Sequence, residues 1–379
     1  HIVATQAMGF SPYKAAFEDR IIKWEMLLRN VQDITTAWLA AQKNWMYLQP
    51  IFSSEDIARQ LPNETKKFRD NDRVYRKVLA DAKKRPSCLR ICRDPKLLKV
   101  FEDMDADLEQ VQKNLSDYLE TKRNAFARFF FMSNDELIDI LSQTKDPQMV
   151  QPHLKKCFES LNKLEFQEDN SMTGMWGSEG EFVKFAGPVV PAGGVEDWLT
   201  EVKKMMQKSL LGEMDRAIKD YEGGEGRKRW VLAWPGMCVL QASQTYWTRD
   251  LGKLFDEKGA QGPVEFLVTS EAQLKDLTLL VRTKLSKLDK KTMGALLVLE
   301  VHARDVVANF IRDGISSQAD FDWISQLRYY WYPDELDTSV GKGQGTIAKM
   351  CQCVYPYGYE YLGNSMRLVI TPLTDRCYM

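Results

Sequence analysis

Five residues of types found at catalytic centres stand out in the sequence. Glu179 and Glu181 are two carboxylates close enough in the chain to suggest an acid–base pair. His302, Arg304 and Asp305 have the residue types of a kinase catalytic triplet. No proton relay lies near the two carboxylates, and no kinase glycine-rich loop, lysine strand or metal-binding triplet accompanies the second group. We therefore predict that all five residues are structural.

Two glycine-rich segments have some features of phosphate-binding loops. Residues 221–229 read YEGGEGRKR, and Gly341–Thr346 read GKGQGT. A phosphate-binding loop needs a preceding strand and the pattern Gly-x4-Gly-Lys-Ser/Thr, because its backbone amides and its lysine hold the phosphates. The first segment lacks both the ending and the strand, and the second has the wrong spacing. We predict a flexible solvent loop at 221–229 and a nucleotide loop at neither place.

The cysteines do not have the spacing of a metal site or of a disulfide framework. Their number is odd, and none of the three histidines lies near a cysteine pair. Reduced thiols of a cytosolic type of compartment are the better interpretation. By periodicity, Cys88 and Cys92 share a helix face, and Cys351 and Cys353 share a strand face. The other cysteines are Cys157, Cys238 and Cys377.

The composition is typical of a folded protein without a strong field of either sign. Of the 379 residues, 44% are hydrophobic and 28% are charged, which argues against wholesale disorder. The net charge of −1 gives no general attraction to nucleic acid or to an anionic membrane. No apolar run has the length of a membrane span. Because the chain starts at His1 without a signal-peptide pattern, we expect an internal piece of a longer, non-secreted protein.

Helical periodicity dominates the N-terminal half. A cap at Ser11-Pro12 should begin a helical region that runs to about Pro50, and an amphipathic helix should follow at 65–82 and another at 95–119. Ser133 and Glu136 form a capping box for a helix over 135–143, and a further helix is predicted over 150–164. Three consecutive phenylalanines cannot share one helix face, so Phe129–Phe131 should form a buried turn or a short strand. An aromatic stripe at helical spacing is predicted to be core and not a ligand-stacking surface: Trp38, Trp45, Tyr47 and Phe52.

The helical spacing of apolar residues ends at about Glu168. Glycines and prolines punctuate residues 171–194, and the alternation around Phe182 and Lys184 predicts a β-hairpin. Helices are then predicted over 195–221, 264–288 and 292–311. Near the C-terminus, Arg367–Ile370 reads as a short strand followed by a Thr-Pro-Leu-Thr turn. Such a strand usually opens an α/β unit, so we expect the chain to stop inside one.

Several long tracts resemble dynein heavy chains. They comprise residues 38–52, 129–157, 320–331 and 357–378, and the last is similar to the segment before the ATP-binding loop of the first AAA+ module. Residues 230–236 and 242–248 are similar to axonemal (ciliary) members, although Met237 stands where glutamine is usual. The glycine cluster at 341–346 is also unusual for the family.

This resemblance implies a mainly α fold, an elongated multi-lobed rod of helical bundles with a small β-hairpin that ends in the first strand of an α/β AAA+ module. The implied divisions are N-terminal helical lobes at 1–165, a β-hairpin insert at 166–195, C-terminal helical lobes at 196–350 and a truncated AAA+ start at 351–379. In the family this region is the linker, a lever that lies across the motor ring.

The implied function is mechanical. ATP binding and hydrolysis in the ring would shift the lever between bent and straight states and drive minus-end-directed movement on microtubules in cilia or flagella. A joint in the lever is expected at residues 221–229 or 171–194, because both carry glycines between helices. The parent motor would bind ATP or ADP with Mg. Residues of this chain that would contact adenine, by motif position, are Val369, Ile370, Thr371, Pro372, Leu373 and Thr374.

The resemblance also implies partners and a location. The partners are the AAA+ ring of the same heavy chain and other dynein chains (intermediate or light), with the microtubule reached only through parts absent from this sequence. No nucleic-acid or membrane partner is implied. The location is the cytoplasm and cytoskeleton, in the axoneme of a cilium or flagellum.

Two other kinds of protein remain open at this point. A helical scaffold that binds partner proteins is compatible with the periodic helices, although no repeat of constant length supports stacked repeats. An independent enzyme with an unfamiliar site is disfavoured by the scarcity of histidine and by the lack of a converging nucleophile and base.

An ATP titration of this chain separates these interpretations. The phosphate loop, the acidic metal-holding residues and the arginine finger of phosphoryl transfer are absent from the sequence, so we expect no ATP hydrolysis and no tight ATP binding. Calorimetry with Mg-ATP measures the affinity, and phosphate release measures the turnover. Tight binding would instead indicate a self-contained nucleotide site.

Overall fold

The computed structural model describes residues 1–142, 146–223, 226–333 and 345–364, together with residues 369, 371, 373 and 374. Two compact units are present, residues 1–149 and residues 150–379. Helices dominate the described residues, and two small antiparallel sheets lie in the second unit. The prediction of a mainly α fold is therefore confirmed. Within the part of the chain that is described, none of the helices is both long and apolar enough to cross a membrane.

The first unit is built mainly from three long helices, α2, α4 and α6. Its helices are α1 (Ile2–Gly9), α2 (Glu18–Phe52), α3 (Glu55–Gln60), α4 (Pro62–Lys84), α5 (Cys88–Ile91), α6 (Lys96–Ala125) and α7 (Asn134–Leu141), and 3₁₀ turns cover Lys14–Ala16 and Ala127–Phe131. A further 3₁₀ segment, Pro147–His153, continues into the second unit. The capping box of Ser133 and Glu136 begins α7, as predicted.

Aromatic stacking joins α2 to α4 and α6. Trp38 stacks on Phe101 with ring centroids 4.9 Å apart, and Phe52 stacks on Phe68 at 5.4 Å. Trp45 contacts the ring of Tyr75 at 4.8 Å, with the two rings tilted. Of the stripe that was predicted to be core, Phe52 is buried, whereas Trp38, Trp45 and Tyr47 are half-buried, and Trp38 and Trp45 pack on the buried rings of Phe101 and Tyr75.

The start and end of the long N-terminal helix differ from the prediction. A separate helix precedes Ser11, and α2 itself begins only at Glu18, because a 3₁₀ turn intervenes. The helix also continues through Pro50 to Phe52. Pro50 has no N–H to donate to the carbonyl of Met46, so the helix lacks one backbone hydrogen bond there, and it ends two residues later. Two large apolar side chains at the start of this helix, Phe17 at its N-cap and Trp24 in its second turn, are exposed in the described structure.

The three phenylalanines form a 3₁₀ turn and not a strand. Phe129 is fully buried, whereas Phe130 and Phe131 are 54% and 75% exposed. A 3₁₀ helix has three residues per turn, so three consecutive side chains point in three directions and only one reaches the core. The prediction that the whole run is buried is therefore wrong for two of its members.

The second unit contains the first sheet, whose edge strand was predicted as helix. Its order is β1 (Leu161–Phe166), β2 (Met172–Gly177) and β3 (Phe182–Val189), all antiparallel, after a short helix α8 (Leu154–Cys157). A register shift between Leu161 and Lys163 lets Leu161 and Leu164 both be buried three residues apart. That spacing is also typical of a helix, so the helix predicted over 150–164 is wrong from Leu161, where β1 begins, whereas residues 150–157 are helical. The predicted hairpin is confirmed as β2 and β3.

The rest of the second unit is a helical core with a second sheet. The elements are α9 (Val195–Gly223), α10 (Arg227–Ala233), α11 (Gly236–Lys258), α12 (Gln261–Val281), α13 (Lys287–Asp313), α14 (Phe321–Ile324), β4 (Arg328–Tyr332), β5 (Gly345–Met350) and β6 (Cys353–Pro356). The strands pair in the order β4-β5-β6. Trp323 is fully buried between the rings of Phe255 and Phe310, at 5.3 Å and 6.3 Å between centroids.

Three local predictions in this unit need correction. The segment 221–229 is mostly helical, because α9 continues to Gly223 and α10 starts at Arg227. The helix predicted over 264–288 ends at Val281, and Ser286 caps the next helix through a capping box. Cys351 lies in the turn between β5 and β6 with φ of 51°, so it does not share a strand face with Cys353.

Replacing a single phenylalanine tests the packing of the first unit. We expect Phe129→Ala to lower the free energy of unfolding by about 3–5 kcal/mol, because a fully buried ring leaves a cavity. Phe131→Ala is the matched control two residues away and should change little. Urea unfolding followed by circular dichroism measures both. Equal effects of the two substitutions would contradict the assigned burial.

Candidate functional site

A buried carboxylate, Glu181, joins three separate segments of the second unit. It lies just before β3 and is only 5% exposed. One of its oxygens accepts hydrogen bonds from the backbone N–H of Gly236 at 2.7 Å and from the side-chain amide of Asn364 at 3.2 Å. The other oxygen accepts from the hydroxyl of Tyr361 at 2.7 Å. The first sheet, the start of α11 and the segment 357–364 therefore meet at one side chain, which we call the Glu181 anchor.

Hydrogen bonds in the anchor replace the water that the Glu181 carboxylate loses on burial. Burying a charge is costly unless hydrogen bonds replace the lost water, and three donors do so here. Gly236 is the first residue of α11, so the partial positive charge of the helix N-terminus adds to the stabilisation. Burial, and then the negative charge of Glu181, raise the pKa of Tyr361. The phenol stays protonated and continues to donate.

Two glycines make room for the anchor. A Cβ on Gly236 would lie 1.6 Å from the side-chain oxygen of Asn364, and a Cβ on Gly177 would lie 2.3 Å from the hydroxyl of Tyr361. Both contacts are far too short for real atoms. Tyr361 and Asn364 are almost completely buried, so neither can move away easily. Because the segment 357–364 approaches the backbone so closely, only glycine fits at both positions.

Further contacts hold the segment 357–364 along its length. The hydroxyl of Ser160 donates to the carbonyl of Leu362 at 2.7 Å, and the amide of Gln207 donates to the carbonyl of Gly358 at 3.1 Å. The hydroxyl of Tyr359 accepts from the backbone N–H of Thr346 at 2.7 Å. This segment is therefore bonded to the first sheet region, to α9 and to the second sheet.

Glu179 has a different environment from Glu181. It forms an ion pair with Lys291 of α13, and the hydrogen bond from Lys291 lowers the pKa of this carboxyl. Because the two glutamates have different partners, the structure does not combine them into one acid–base pair. This agrees with the prediction that both are structural. The triplet at 302–305 likewise gives a surface contact, in which Arg304 bonds its neighbour Asp305.

The predicted adenine-contacting residues are only partly described. Val369 and Leu373 are 64% and 73% exposed. Thr371 donates its N–H to the hydroxyl of Thr374 at 2.7 Å and accepts from the N–H of Thr374 at 3.3 Å, which is the reciprocal pattern of a helix start. Ile370 and Pro372 lie outside the described residues, as do most residues of the strand predicted at 367–370 and residues 341–344 of the glycine cluster.

A second buried charge lies where α9 meets α10. Arg227 pairs with Glu300 of α13, and both side chains are about nine-tenths buried. The hydroxyl of Ser243 also donates to Glu300 at 2.5 Å. Near the end of α9, Tyr221 stacks on Tyr246 with ring centroids 3.9 Å apart. The two described sides of the 221–229 segment are therefore held in one core, which the sequence did not indicate.

Reasoning from the sequence missed both buried carboxylates as anchors. Glu181 and Glu300 look like ordinary charged positions, since their donors lie 55 to 183 residues away in the chain. The glycines opposite Tyr361 and Asn364 were the available signal, because a glycine facing a buried side chain marks a close approach. Among the described residues, no group of three or more His, Cys, Asp or Glu side chains is placed to hold a metal ion.

Comparisons with known proteins give one consistent result. A family model described as "Dynein heavy chain, N-terminal region 2" matches residues 1–217, and "Hydrolytic ATP binding site of dynein motor region" matches residues 357–379. The chain is 48% identical over 379 residues to dynein axonemal heavy chain 1 of Mus musculus, 44% over 381 residues to dynein axonemal heavy chain 3 of Homo sapiens and 42% over 380 residues to dynein axonemal heavy chain 12 of Mus musculus. All of this chain is covered, but it spans only 9%, 9% and 12% of those relatives.

Removing the carboxylate of the anchor tests the site. Glu181→Ala leaves three donors without an acceptor, and since each such buried group costs about 1–3 kcal/mol, we expect a loss of stability of about 3 kcal/mol or more. Hydrogen-exchange mass spectrometry should show faster exchange in residues 357–364 and at the start of α11. Glu181→Gln, which keeps one acceptor oxygen, should have a smaller effect.

The control for this experiment is Glu179→Gln. It removes a charge on the same turn that faces solvent and Lys291, so exchange in residues 357–364 should not change. If Glu181→Ala left the exchange of that segment unchanged as well, the assigned hydrogen bonds would be incorrect.

Proposed function

This chain belongs to the dynein heavy chain family, and we propose that it acts as the mechanical linker, or lever, of a dynein motor. In this proposal, ATP binding and hydrolysis in the AAA+ ring of the parent heavy chain shift the lever between two conformations. The shift produces minus-end-directed movement on microtubules. Because stiff, packed interfaces switch between discrete arrangements, a small change near the nucleotide can become a large swing.

The observation that carries the proposal is the Glu181 anchor. The segment that it holds, 357–364, lies inside the match to the hydrolytic ATP-binding region of the dynein motor. The same carboxylate binds the first sheet to α11 through Gly236. A displacement that reaches the segment 357–364 would therefore pass to the helical core through direct hydrogen bonds.

We place the nucleotide-facing part of this chain at residues 369–374. Residues Val369 and Leu373 expose apolar side chains, which suits contact with an adenine ring, and the proposal extends to Ile370, Thr371, Pro372 and Thr374. ATP or ADP with Mg would be bound mainly by the ring of the parent motor. Hydrolysis is assigned to the parent chain, because the residues that phosphoryl transfer requires lie outside this sequence.

The proposed partners follow from the same assignment. The first is the AAA+ ring of the same heavy chain, and the others are further dynein chains, intermediate or light. The microtubule would be reached through other parts of the heavy chain. Three relatives with 42–48% identity are named axonemal, which supports a location in the axoneme of a cilium or flagellum.

The compliant joint of the lever is proposed at residues 221–229 or 171–194. In the first segment, the described residues on both sides are packed in one core by Tyr221 and Arg227. A proline at Gly226 cannot be used to stiffen this segment, because φ there is 99° and proline requires about −65°. The Glu181 anchor lies within the second segment, so a change at Glu181 is the sharper test.

We expect Glu181→Ala in the intact motor to slow microtubule gliding several-fold. The reason is that, without the carboxylate, the segment 357–364 could move without moving the helical core, so a displacement that starts near the nucleotide would not be transmitted. Gliding velocity and microtubule-stimulated ATPase activity should be measured together. If ATP hydrolysis is no longer coupled to movement, the velocity falls more than the rate of ATP turnover.

Glu179→Gln in the same motor is the control and should glide at the wild-type velocity. Unchanged gliding by Glu181→Ala, in a motor whose segment 357–364 exchanges faster, would refute the lever function of the anchor.

A further inference from the structure

Two thiols lie close together at α5 in the first unit. Cys88 is the first residue of this four-residue helix and Cys92 is its C-cap, so the two lie one turn apart. Their sulfur atoms are 3.9 Å apart. The sequence predicted a shared helix face for this pair, and the structure confirms it. Neither residue contributes to the Glu181 anchor or to the segment 369–374.

The two cysteines differ in exposure. Cys88 is exposed, whereas Cys92 is 2% exposed. Both line an apolar cleft of about 370 Å³ whose other walls include Trp38, Leu39 and Pro86. The side-chain amide of Asn30 donates to the carbonyl of Cys92 at 2.6 Å and holds that end of α5 against α2. A small oxidant can thus reach Cys88 first, and Cys92 lies directly behind it.

We propose that Cys88 and Cys92 form a reversible dithiol–disulfide site that responds to hydroperoxides. The Cys88 sulfur attacks a peroxide oxygen, an S–O bond forms, the O–O bond breaks and water leaves. The Cys92 sulfur then attacks the sulfenic acid, the S–S bond forms, the S–O bond breaks and a second water leaves. Two thiols lose two electrons and two protons in total, and hydrogen peroxide is reduced to two molecules of water.

The position of Cys92 allows a disulfide bond to form with Cys88. Helical residues four apart have Cβ atoms about 5–6 Å apart, whereas a disulfide needs about 3.5–4.5 Å. The backbone must therefore adjust by one to two ångströms, roughly the difference between those ranges. Cys92 is the C-cap of a helix with only one turn, so the adjustment breaks no long helix. A bond closed under such strain is readily reduced, which suits a reversible site.

Burial assigns different roles to the two thiols. Burial raises the pKa of Cys92 to about 11, so this thiol is a poor first nucleophile. After Cys88 is oxidised, the neighbouring sulfur needs no diffusion to reach it. Cys88 is accordingly the peroxide-reacting thiol and Cys92 the resolving thiol.

Peptide mapping of the oxidised chain tests the proposal. The reduced 379-residue chain is treated with hydrogen peroxide, the remaining thiols are blocked with N-ethylmaleimide, and trypsin is added. Trypsin cuts after Lys84, Arg90 and Arg93 but not between Arg85 and Pro86, so the cysteines fall in peptides 85–90 and 91–93. We expect these two peptides to be joined, with a mass two hydrogens below their sum, and to separate after treatment with dithiothreitol.

Three variants control the experiment. Cys92→Ser should leave Cys88 as a sulfenic acid that dimedone traps, and Cys88→Ser should leave Cys92 reduced. A chain with Cys351→Ser and Cys353→Ser lacks two exposed thiols of the second unit and should still form the 85–90 to 91–93 link. A mixture of ¹⁵N-labelled and unlabelled chain should yield linked peptides of one isotope only.

Two results would overturn the proposal. One is oxidation of Cys88 to the sulfinic acid, in the wild-type chain, without any link to Cys92. The other is a linked pair of mixed isotopes, because that pair would come from two different molecules.

Discussion

The second unit depends on one buried negative charge. The Glu181 carboxylate is removed from water, and three donors from distant parts of the chain compensate for the lost hydration. None of these donors can be satisfied by water instead, because Tyr361 and Asn364 are almost completely buried. The geometry of the sheet, of the start of α11 and of the C-terminal segment is therefore determined together. In the proposed lever function, this rigid connection would pass a displacement of the C-terminal segment to the helical core.

Stiffness in this unit has a second source in the buried pair of Arg227 and Glu300. A buried ion pair adds less to stability than its Coulomb energy suggests, because both charges lose their hydration. It does restrict geometry, since removing either partner leaves the other charged and buried. Together with the stacked rings of Tyr221 and Tyr246, it holds α9 and α10 against α11 and α13. The described residues on both sides of the predicted loop, Tyr221 and Arg227 among them, are therefore packed against this core.

Local patterns in the sequence predicted most of the fold and little of the site. Helical periodicity and the capping box at Ser133 depend on residues three or four apart, so they are visible in the chain itself. The failures came where tertiary structure altered the local period, as in the register shift that made β1 look helical. The Glu181 anchor joins residues up to 183 positions apart, and periodicity carries no information over that distance. The C-terminal segment could be located only through its resemblance to a family.

The missing side chains at Gly177 and Gly236 have a consequence for how this region can change in evolution. Each glycine lies against a side chain that donates to Glu181, so the five positions form one interlocking unit. A larger residue at either glycine is tolerated only if the opposing tyrosine or asparagine becomes smaller, and that change removes a donor from the carboxylate. Related chains should therefore keep or replace these positions as a block, and a substitution at any one of them should show strong epistasis with the other four.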